Sequence, residues 1–225
     1  MNTVQKFIDR LCYMGIHERK EREKERRRQQ ILVSAKRVFY DKGYSRATME
    51  DIANEAELSP GTLYLYFKNK EELFASLSLR ILQYMIIRLQ EVSNDTKLSP
   101  EEKLEALKSA MFDVYDFDTA SIINMFHLQS SEALKNLSAQ VLAEFNTLSG
   151  TAMGLLARIF KEGIIKGVFI DSPPVALADT FWSLFSGVVL WEASKSIMDG
   201  EKDGLKESLH FSFSLFNRSV MIHPR

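Results

Sequence analysis

The amino-acid sequence predicts an all-α fold, and three observations support this prediction. Apolar residues recur at helical spacing along most of the chain. Four segments begin at a serine or threonine suited to capping a helix, and three of these continue with proline, which is tolerated at a first helical position. The chain has only 10 Gly and 5 Pro among 225 residues, which is few for an all-β protein rich in turns.

Composition indicates a soluble globular protein, with 45% hydrophobic and 26% charged residues. No uninterrupted apolar run reaches the roughly 18 residues that span a bilayer. Lys6, Asp9 and Arg10 interrupt any signal-peptide core near the N-terminus. The single cysteine, Cys12, excludes an internal disulfide framework and suits a reducing compartment. We therefore expect a cytoplasmic protein that does not engage a membrane.

Charge is unevenly distributed, although the net charge is only −1. Residues 1–80 carry 16 Lys and Arg against 12 Asp and Glu, and residues 81–225 carry 13 against 18. A nucleic-acid-binding protein needs cationic charge only on the surface that faces phosphates. The distribution therefore favours a nucleic-acid-binding surface in the N-terminal part.

The first predicted elements are a short amphipathic segment and a longer helix. The amphipathic segment covers residues 3–15, within an extension that we place at residues 1–20. The helix covers residues 21–42, and Gly43 ends it as a C-cap glycine. Its inner face consists of apolar residues at helical spacing: Ile31, Ala35, Val38 and Phe39.

Residues 48–70 read TMEDIANEAELSPGTLYLYFKNK and predict two short helices separated by a tight break. Thr48 is a good N-cap for the first, with Asp51 three residues further on. Ser59 caps the second, and Pro60 occupies its first position.

The second of these helices has the properties of a DNA-reading helix. Leu63 and Phe67 lie four residues apart and point inward together. Hydroxyl groups and aromatic rings remain for the outer surface, where the helix dipole favours phosphate and side chains can reach base edges.

Residues 28–74 resemble the TetR family of bacterial transcription regulators. The resemblance rests on ILVSAKRVFYDKGYSRATMEDIA followed by LSPGTLYLYFKNKEELF. It is specific, because the whole Gly-Thr-Leu-Tyr-x-Tyr-Phe-x-x-Lys pattern follows a Phe-x-x-Lys-Gly-Tyr turn. Two positions depart from the family pattern. Glu57 replaces a usual turn glycine, so a left-handed backbone there would carry strain, and Pro60 replaces a residue that is often basic.

The resemblance implies that the second short helix lies in the major groove of operator DNA. The residues predicted to contact DNA are Arg28, Thr48, Ser59, Gly61, Thr62, Tyr64, Leu65, Tyr66 and Lys70. The charged run at residues 19–28 has two interpretations. It is either a solvated helix stabilised by ion pairs or a segment in which Arg26, Arg27 and Arg28 approach the phosphate backbone.

The rest of the chain predicts further helices that form a second domain. They cover residues 69–92, 99–116, 118–129, 135–166, 173–196 and 204–220. A capping box at Ser99 begins one of them, and Gly167 ends the long fourth one. We assign residues 21–80 to a DNA-binding domain and residues 81–225 to an effector-binding and dimerisation domain.

The C-terminal part is rich in aromatic and methionine side chains, which form cores more often than pocket walls. The resemblance raises the expectation of a ligand cavity, since members of the family bind an effector among these helices. The predicted ligand-binding residues are Phe112, Tyr115, Phe126, His127 and Trp182. Mostly apolar walls predict a lipophilic effector such as a fatty acyl compound, an aromatic or a drug-like molecule.

The last two predicted helices are apolar over more than one face, which indicates that they pack against two partners. One partner is the domain itself, and the resemblance implies a second copy of the chain as the other. The predicted interface residues are Phe185, Val189, Leu209, Phe213 and Phe216. The alternative is a monomer in which the first of these helices is well buried.

Enzymatic motifs are absent from the sequence, which contains no HExxH, no Gly-rich phosphate loop and no CxxC. Its histidines lack metal-ligand spacing, so we expect no enzyme, metal or cofactor. The sequence predicts a homodimeric, ligand-responsive transcriptional regulator that binds double-stranded operator DNA as a repressor and is released by a lipophilic small molecule. The alternative is a helical lipid- or drug-binding protein without operator-specific DNA binding.

Overall fold

A computed structural model describes residues 3–129, 132–199 and 204–222, with side chains left out at residues 3–17, 127, 129, 132–133 and 196–199. These residues confirm the all-α prediction, since the β-type pairing among them is an isolated bridge between Phe169 and Met221. The helices are α1 (Thr3–Arg46), α2 (Met49–Glu55), α3 (Pro60–Tyr64), α4 (Lys70–Asn94), α5 (Pro100–Phe117), α6 (Thr119–Gln129), α7 (Ala139–Ile165), α8 (Pro174–Asp199) and α9 (Leu205–Val220).

The chain forms two compact units, Met1–Phe74 and Ala75–Arg225. Helix α4 begins in the first unit and continues through the second. The functions that we assigned to residues 21–80 and 81–225 stay a prediction.

Helix α1 is longer than the sequence predicts. It runs without a described break from Thr3, whereas we expected separate segments at residues 3–15 and 21–42. Gly43 interrupts it as predicted, with φ 73° and ψ 156°, a conformation that an L side chain rarely adopts. The helical stretch before Gly43 contributes Ile31 and Ala35 to the core of the first unit, each fully buried.

Side-chain caps begin α2 and α3, as the sequence predicts. The Thr48 hydroxyl accepts from the Asp51 amide at 3.1 Å, and the Asp51 carboxylate accepts from the Thr48 amide. The Ser59 hydroxyl accepts from the Thr62 amide at 3.2 Å. In the turn between the two helices, Glu57 has φ 55°, which confirms the left-handed backbone expected there.

The second unit packs around aromatic rings. The rings of Phe181 and Phe213 stack with centroids 4.9 Å apart, and Phe160, Phe185 and Phe216 surround them. These rings come from α7, α8 and α9, so the aromatic cluster joins three helices that are distant in sequence.

Helical periodicity in the sequence did not predict two details of α7. Helix α7 begins at Ala139, where Ser138 caps it, instead of at residue 135, and a short 3-10 segment, Glu132–Asn136, precedes it. Near its C-terminal end, Gly163 lies against Phe169, and a Cβ atom there would lie 2.1 Å from that ring.

Candidate nucleic-acid interface and ligand cavity

Helix α3 buries one side and exposes the other. Leu63 is fully buried, and Phe67 is buried just after the helix ends. On the outer side Tyr64 is 52% exposed and Leu65 is 80% exposed. Large side chains held outward at the end of a helix can contact the edges of bases and thymine methyl groups.

The remaining predicted contacts on α3 and its flanks lie on the same accessible stretch. Gly61 is exposed and has open space around it, apart from the Ser59 hydroxyl at 4.0 Å. The Ser59 and Thr62 hydroxyls hydrogen-bond each other at 2.9 Å, so both groups also serve the cap. Thr48 is exposed and Tyr66 is half-buried.

Lys70, one of the predicted DNA contacts, also holds two helices of the domain together. Its ammonium donates to the carbonyl oxygens of Tyr44 at 2.7 Å and Ala47 at 2.9 Å, and lies 4.4 Å from the centroid of the Tyr44 ring. These contacts clamp the end of α1 to the start of α4. Two of the three ammonium N–H groups are committed inside the domain, and the DNA contact of Lys70 stays a prediction.

The Tyr44 hydroxyl belongs to the same clamp. It donates to the Glu71 carboxylate at 3.1 Å. Burial raises the pKa of Tyr44 well above its ordinary value, and the negative charge of Glu71 raises that pKa further. Tyr44 therefore stays a neutral hydrogen-bond donor at physiological pH.

Arg28 places the end of the charged run beside the reading helix. Its guanidinium carbon lies 4.7 Å from the centroid of the Phe67 ring, a cation–π geometry. Lys68, which is not among the predicted contacts, is exposed between α3 and α4.

Acidic side chains next to the motif are held by cations. Lys42 pairs with Asp51 at 2.7 Å, and Arg37 pairs with Glu55 at 3.2 Å. The hydrogen bond from Lys42 and that from Thr48 lower the pKa of Asp51 below its ordinary value. Asp51 therefore remains an ionised cap through the neutral range.

A small cleft of about 30 Å³ lies in the second unit between α4, α7 and α8. Its lining is Leu82, Met85, Ser149, Ala152, Met153 and Trp182. The Ser149 hydroxyl is buried and has no hydrogen-bond partner among the described residues. An apolar cleft with one unsatisfied hydroxyl can orient a mostly apolar ligand that carries a polar group.

The structure places the predicted ligand-binding residues at different positions in the second unit, and their role in binding stays a prediction. Trp182 lines the cleft, and Phe126 packs edge-to-face on Trp182 at 5.4 Å, behind the wall. Phe112 lines a separate open cleft that involves α9, and Tyr115 is buried. The side chain of His127 lies outside the described residues. Aromatic content indicated the right domain, but it could not say which face of each helix meets the cleft.

A charged network ties the C-terminal end of α4 to α5 and α7. The ammonium of Lys103, whose side chain is 3% exposed, donates to the Glu162 carboxylate at 2.7 Å and to the Ser93 carbonyl at 3.3 Å. Arg158 donates to the Ser93 hydroxyl at 2.7 Å and to the side chain of Asn94. Cations at this end also compensate the helix dipole of α4.

The predicted dimer-interface residues are not on the surface of the protomer. Phe185, Val189, Leu209, Phe213 and Phe216 are all buried in its own core. The prediction chose the apolar face of α8 and α9 that packs inward. The same helices expose other large apolar side chains: Val175, Trp191, Phe211 and Leu215.

Helix α8 is also long and apolar enough to cross a membrane over Pro174–Lys195, by length and composition alone. Only 28% of its most apolar window is buried inside the protomer. The sequence prediction counted only uninterrupted apolar runs and so missed this helix. Packing in the core of the protomer does not account for the apolar side chains that α8 exposes.

Comparison with known proteins defines the class of protein. Residues 31–77 match the family of bacterial regulatory proteins, tetR family. The HTH-type transcriptional repressor KstR2 of Mycolicibacterium smegmatis is 31% identical over 69% of this chain and 76% of its own length. The Fatty acid metabolism regulator protein of Bacillus subtilis is 29% identical over 66% of this chain and 74% of its own. The chain belongs to the TetR family, and it is a DNA-binding transcriptional regulator.

Solved structures share the fold. The TetR family regulator PfmR of Thermus thermophilus aligns with a TM-score of 0.67 and 22% identity, over 84% of this chain and 97% of that one. The Bacillus subtilis regulator FadR, solved in complex with stearoyl-CoA, aligns with a TM-score of 0.63 and 23% identity, over 87% and 99% of the two chains.

Proposed function

We propose that this protein is a repressor that inserts α3 in the major groove of its operator DNA. It dissociates from the operator when a long-chain acyl compound binds to the second unit. One observation carries the DNA-binding part of the proposal. Tyr64 and Leu65 stand exposed on a short helix whose other side, Leu63 and Phe67, is locked in the core. Rigid support with exposed side chains is what base recognition requires.

Replacement of Tyr64 tests this assignment. We expect Tyr64→Ala to lose about 1–3 kcal/mol of operator affinity, because one base-edge contact is removed. Tyr40→Ala is the matched control, since Tyr40 is 80% exposed on α1 outside the motif. The measurement is fluorescence anisotropy with a duplex that the wild-type protein has selected from a random-sequence pool. Equal affinities of a folded Tyr64→Ala variant and the control would contradict the assignment.

The acyl effector is supported by the chemistry of the cleft and by two relatives. The walls of the cleft are apolar except for the Ser149 hydroxyl. The name of the Bacillus subtilis relative refers to fatty acid metabolism, and the FadR structure contains stearoyl-CoA. A long acyl chain with a polar end satisfies both the apolar walls and the unpaired hydroxyl.

Binding must widen the cleft, and this provides the link to DNA. Its volume of about 30 Å³ is far below the roughly 300–1,000 Å³ of ordinary ligand pockets. Met85 and Met153 are unbranched side chains that repack readily. Leu82 and Met85 belong to α4, whose first turn lies in the N-terminal unit. An occupant that favours a displaced α4 therefore shifts the population away from the DNA-binding state.

Filling the cleft tests the effector site. Ser149→Leu places apolar volume in the cleft and removes the unpaired hydroxyl, so we expect weaker binding of stearoyl-CoA by at least tenfold with operator affinity retained. Thr151→Leu is the control, because Thr151 is exposed on the same helix. Calorimetric titration with stearoyl-CoA, stearate and coenzyme A separates the acyl chain from the nucleotide. Equal stearoyl-CoA affinity in both variants would remove the ligand from this cleft.

We further propose that the protein acts in the cytoplasm as a homodimer, in which the exposed apolar residues of α8 and α9 meet those of a second copy. The low burial of α8 in one protomer supports this arrangement, since exposed apolar surface of this kind marks an association site. A two-fold dimer would present two α3 helices to two half-sites.

A further inference from the structure

We propose that residues 18–28 of α1 form a second DNA-binding surface that extends beyond the base pairs read by α3. In this proposal Lys20 and Lys24 bind phosphates that flank the half-site. The inference rests on the proposed DNA binding and enlarges it, because these residues precede the 31–77 segment that matches the family.

The first observation is that this stretch of helix has no apolar side. Residues 18–28 contain seven basic and four acidic residues, and their side chains are exposed or half-buried. A helix that is polar all round gains little from packing within the protomer. Contacts between its own side chains, such as the Arg26–Glu23 pair and the Gln29–Glu25 hydrogen bond, are exposed.

The second observation is that its charges are sorted by face. At 100° per residue, Lys20, Lys24 and Arg28 form one row, with successive members four residues apart. Lys24 and Arg28 precede the buried Ile31 and Ala35 by seven residues each, so the row continues the inward-facing side of α1. Three of the four acidic residues form a separate stripe beside it, at Glu18, Glu21 and Glu25, and Glu23 lies on the other side of the row.

The third observation places one end of this row beside the C-terminal flank of α3. Arg28 lies over the ring of Phe67, which follows Tyr64 by three residues. The row therefore runs outward from the side of the unit on which α3 ends. With a rise of about 1.5 Å per residue, Lys24 and Lys20 lie about 6 and 12 Å beyond Arg28 along the helix axis. Phosphates repeat every 3.4 Å along each DNA strand, so this reach covers the phosphates next to the base pairs under α3.

The same helix supplies its own control. Arg19 and Arg22 lie about 140° and about 160° around the helix from Lys24, away from its face. If the helix is only solvated and stabilised by ion pairs, replacing either pair of cations has the same effect on DNA affinity. If one face binds DNA, replacing Lys20 and Lys24 lowers DNA affinity more than replacing Arg19 and Arg22.

The test compares two double variants of the full-length chain, Lys20→Gln with Lys24→Gln and Arg19→Gln with Arg22→Gln. Both remove two positive charges and retain good helix formers. Affinity for a duplex selected by the wild-type protein is measured by anisotropy between 50 and 200 mM salt, and hydroxyl-radical footprints are recorded. Circular dichroism confirms equal helix content.

We expect the lysine variant to flatten the slope of log affinity against log salt by about 0.9 for each phosphate that is no longer neutralised, or about 1.8 per protomer. Its footprint should shorten at the outer flanks while the protection of the central base pairs remains. The arginine variant should keep the wild-type slope and footprint. Equal slopes for both variants and the wild type, or equal decreases in both variants, would overturn the inference.

Failure of the proposed function would look different. In that case the wild-type protein selects no sequence from the random pool, and Tyr64→Ala changes nothing. A wild-type protein that selects an operator, combined with a lysine variant that binds it unchanged, refutes only the role of residues 18–28.

Discussion

The contacts that stabilise the N-terminal unit differ in kind from those that stabilise the C-terminal unit. In the N-terminal unit, the caps at Thr48 and Ser59 and the Lys70 clamp fix the helix ends, beside a small ring cluster of Phe39, Tyr44 and Phe74. In the C-terminal unit, rings from distant helices set the geometry, as where Phe213 stacks on Phe181. Caps are local in sequence, whereas ring contacts depend on the rotation of whole helices. The first kind is readable from a sequence pattern, and the second is not.

Two glycines show the same contrast. Gly43 is required by its own backbone, with φ 73° and open space around its α-carbon. Gly163 is required by a neighbour, since a Cβ would collide with the Phe169 ring. The first requirement follows from a local break in the helix, and the second appears only after the chain has folded.

The largest expected effect breaks the ring cluster. Phe213→Glu places a carboxylate where the native side chain is fully buried, so we expect a loss of more than about 4 kcal/mol in the free energy of unfolding. Phe211→Glu changes a side chain that is 65% exposed two residues away. We expect that variant to fold and to lose the dimer. Thermal unfolding by circular dichroism and light scattering measure the two outcomes.

The reverse outcome would be informative. A Phe213→Glu variant that is as stable as the wild type but monomeric would restore the interface predicted from the sequence. A Phe211→Glu variant that remains dimeric would place the interface away from the exposed face of α9.

The second effect concerns the ion pair between the buried Lys103 ammonium and Glu162 in the C-terminal unit. Glu162→Gln leaves the ammonium of Lys103 buried without a counter-ion, which costs about 3–5 kcal/mol. Lys103→Met removes the buried charge and leaves Glu162 with its other partner, Lys166 at 2.7 Å. We expect this variant to be much closer to the wild type. Chemical denaturation of both variants at pH 7 measures the asymmetry, and equal losses would contradict it.

The same pair predicts a pH dependence. The hydrogen bonds from Lys103 and Lys166 lower the pKa of Glu162 below its ordinary value. A carboxylate whose folded-state pKa is lowered stabilises the fold above its unfolded pKa of about 4.3, and this stability is lost as pH falls through the folded pKa. The stability difference between wild type and Glu162→Gln should therefore shrink below about pH 4. A constant difference would exclude ionised Glu162 as its source.

The sequence predicted the parts of the fold that local chemistry determines. Gly43, the caps at Thr48 and Ser59, and the capping box at Ser99 are where we expected them. Periodicity alone placed the start of α7 too early, because an apolar pattern continues through the short segment before Ser138.

A sequence pattern does not show how each helix is rotated, so the predicted site residues that depend on rotation stay a prediction. Trp182 lines the cleft, but Ser149 and Met85 on the opposite walls gave no signal of their own. On α9, Phe213 and Phe211 are equally apolar, and only packing shows that the first is buried and the second is exposed. The role of Lys70 likewise depends on carbonyl groups 23 and 26 residues away.

The smallest expected effect tests the backbone-determined unit. Glu57 has a left-handed backbone, which costs an L side chain roughly 1–2 kcal/mol. Glu57→Gly removes that strain but gives the unfolded chain more freedom, an opposing term of roughly 0.5–1 kcal/mol. We expect a net stabilisation of about 0.5–1 kcal/mol, visible as a higher denaturant midpoint with an unchanged slope. Gly43→Ala is the inverse control. Gly43 has a φ of 73° and a Cβ atom there would meet no neighbour within 4 Å, so the stability that this variant loses comes from backbone strain. If Glu57→Gly is less stable than the wild type, the Glu57 side chain contributes more to the turn than its backbone strain costs.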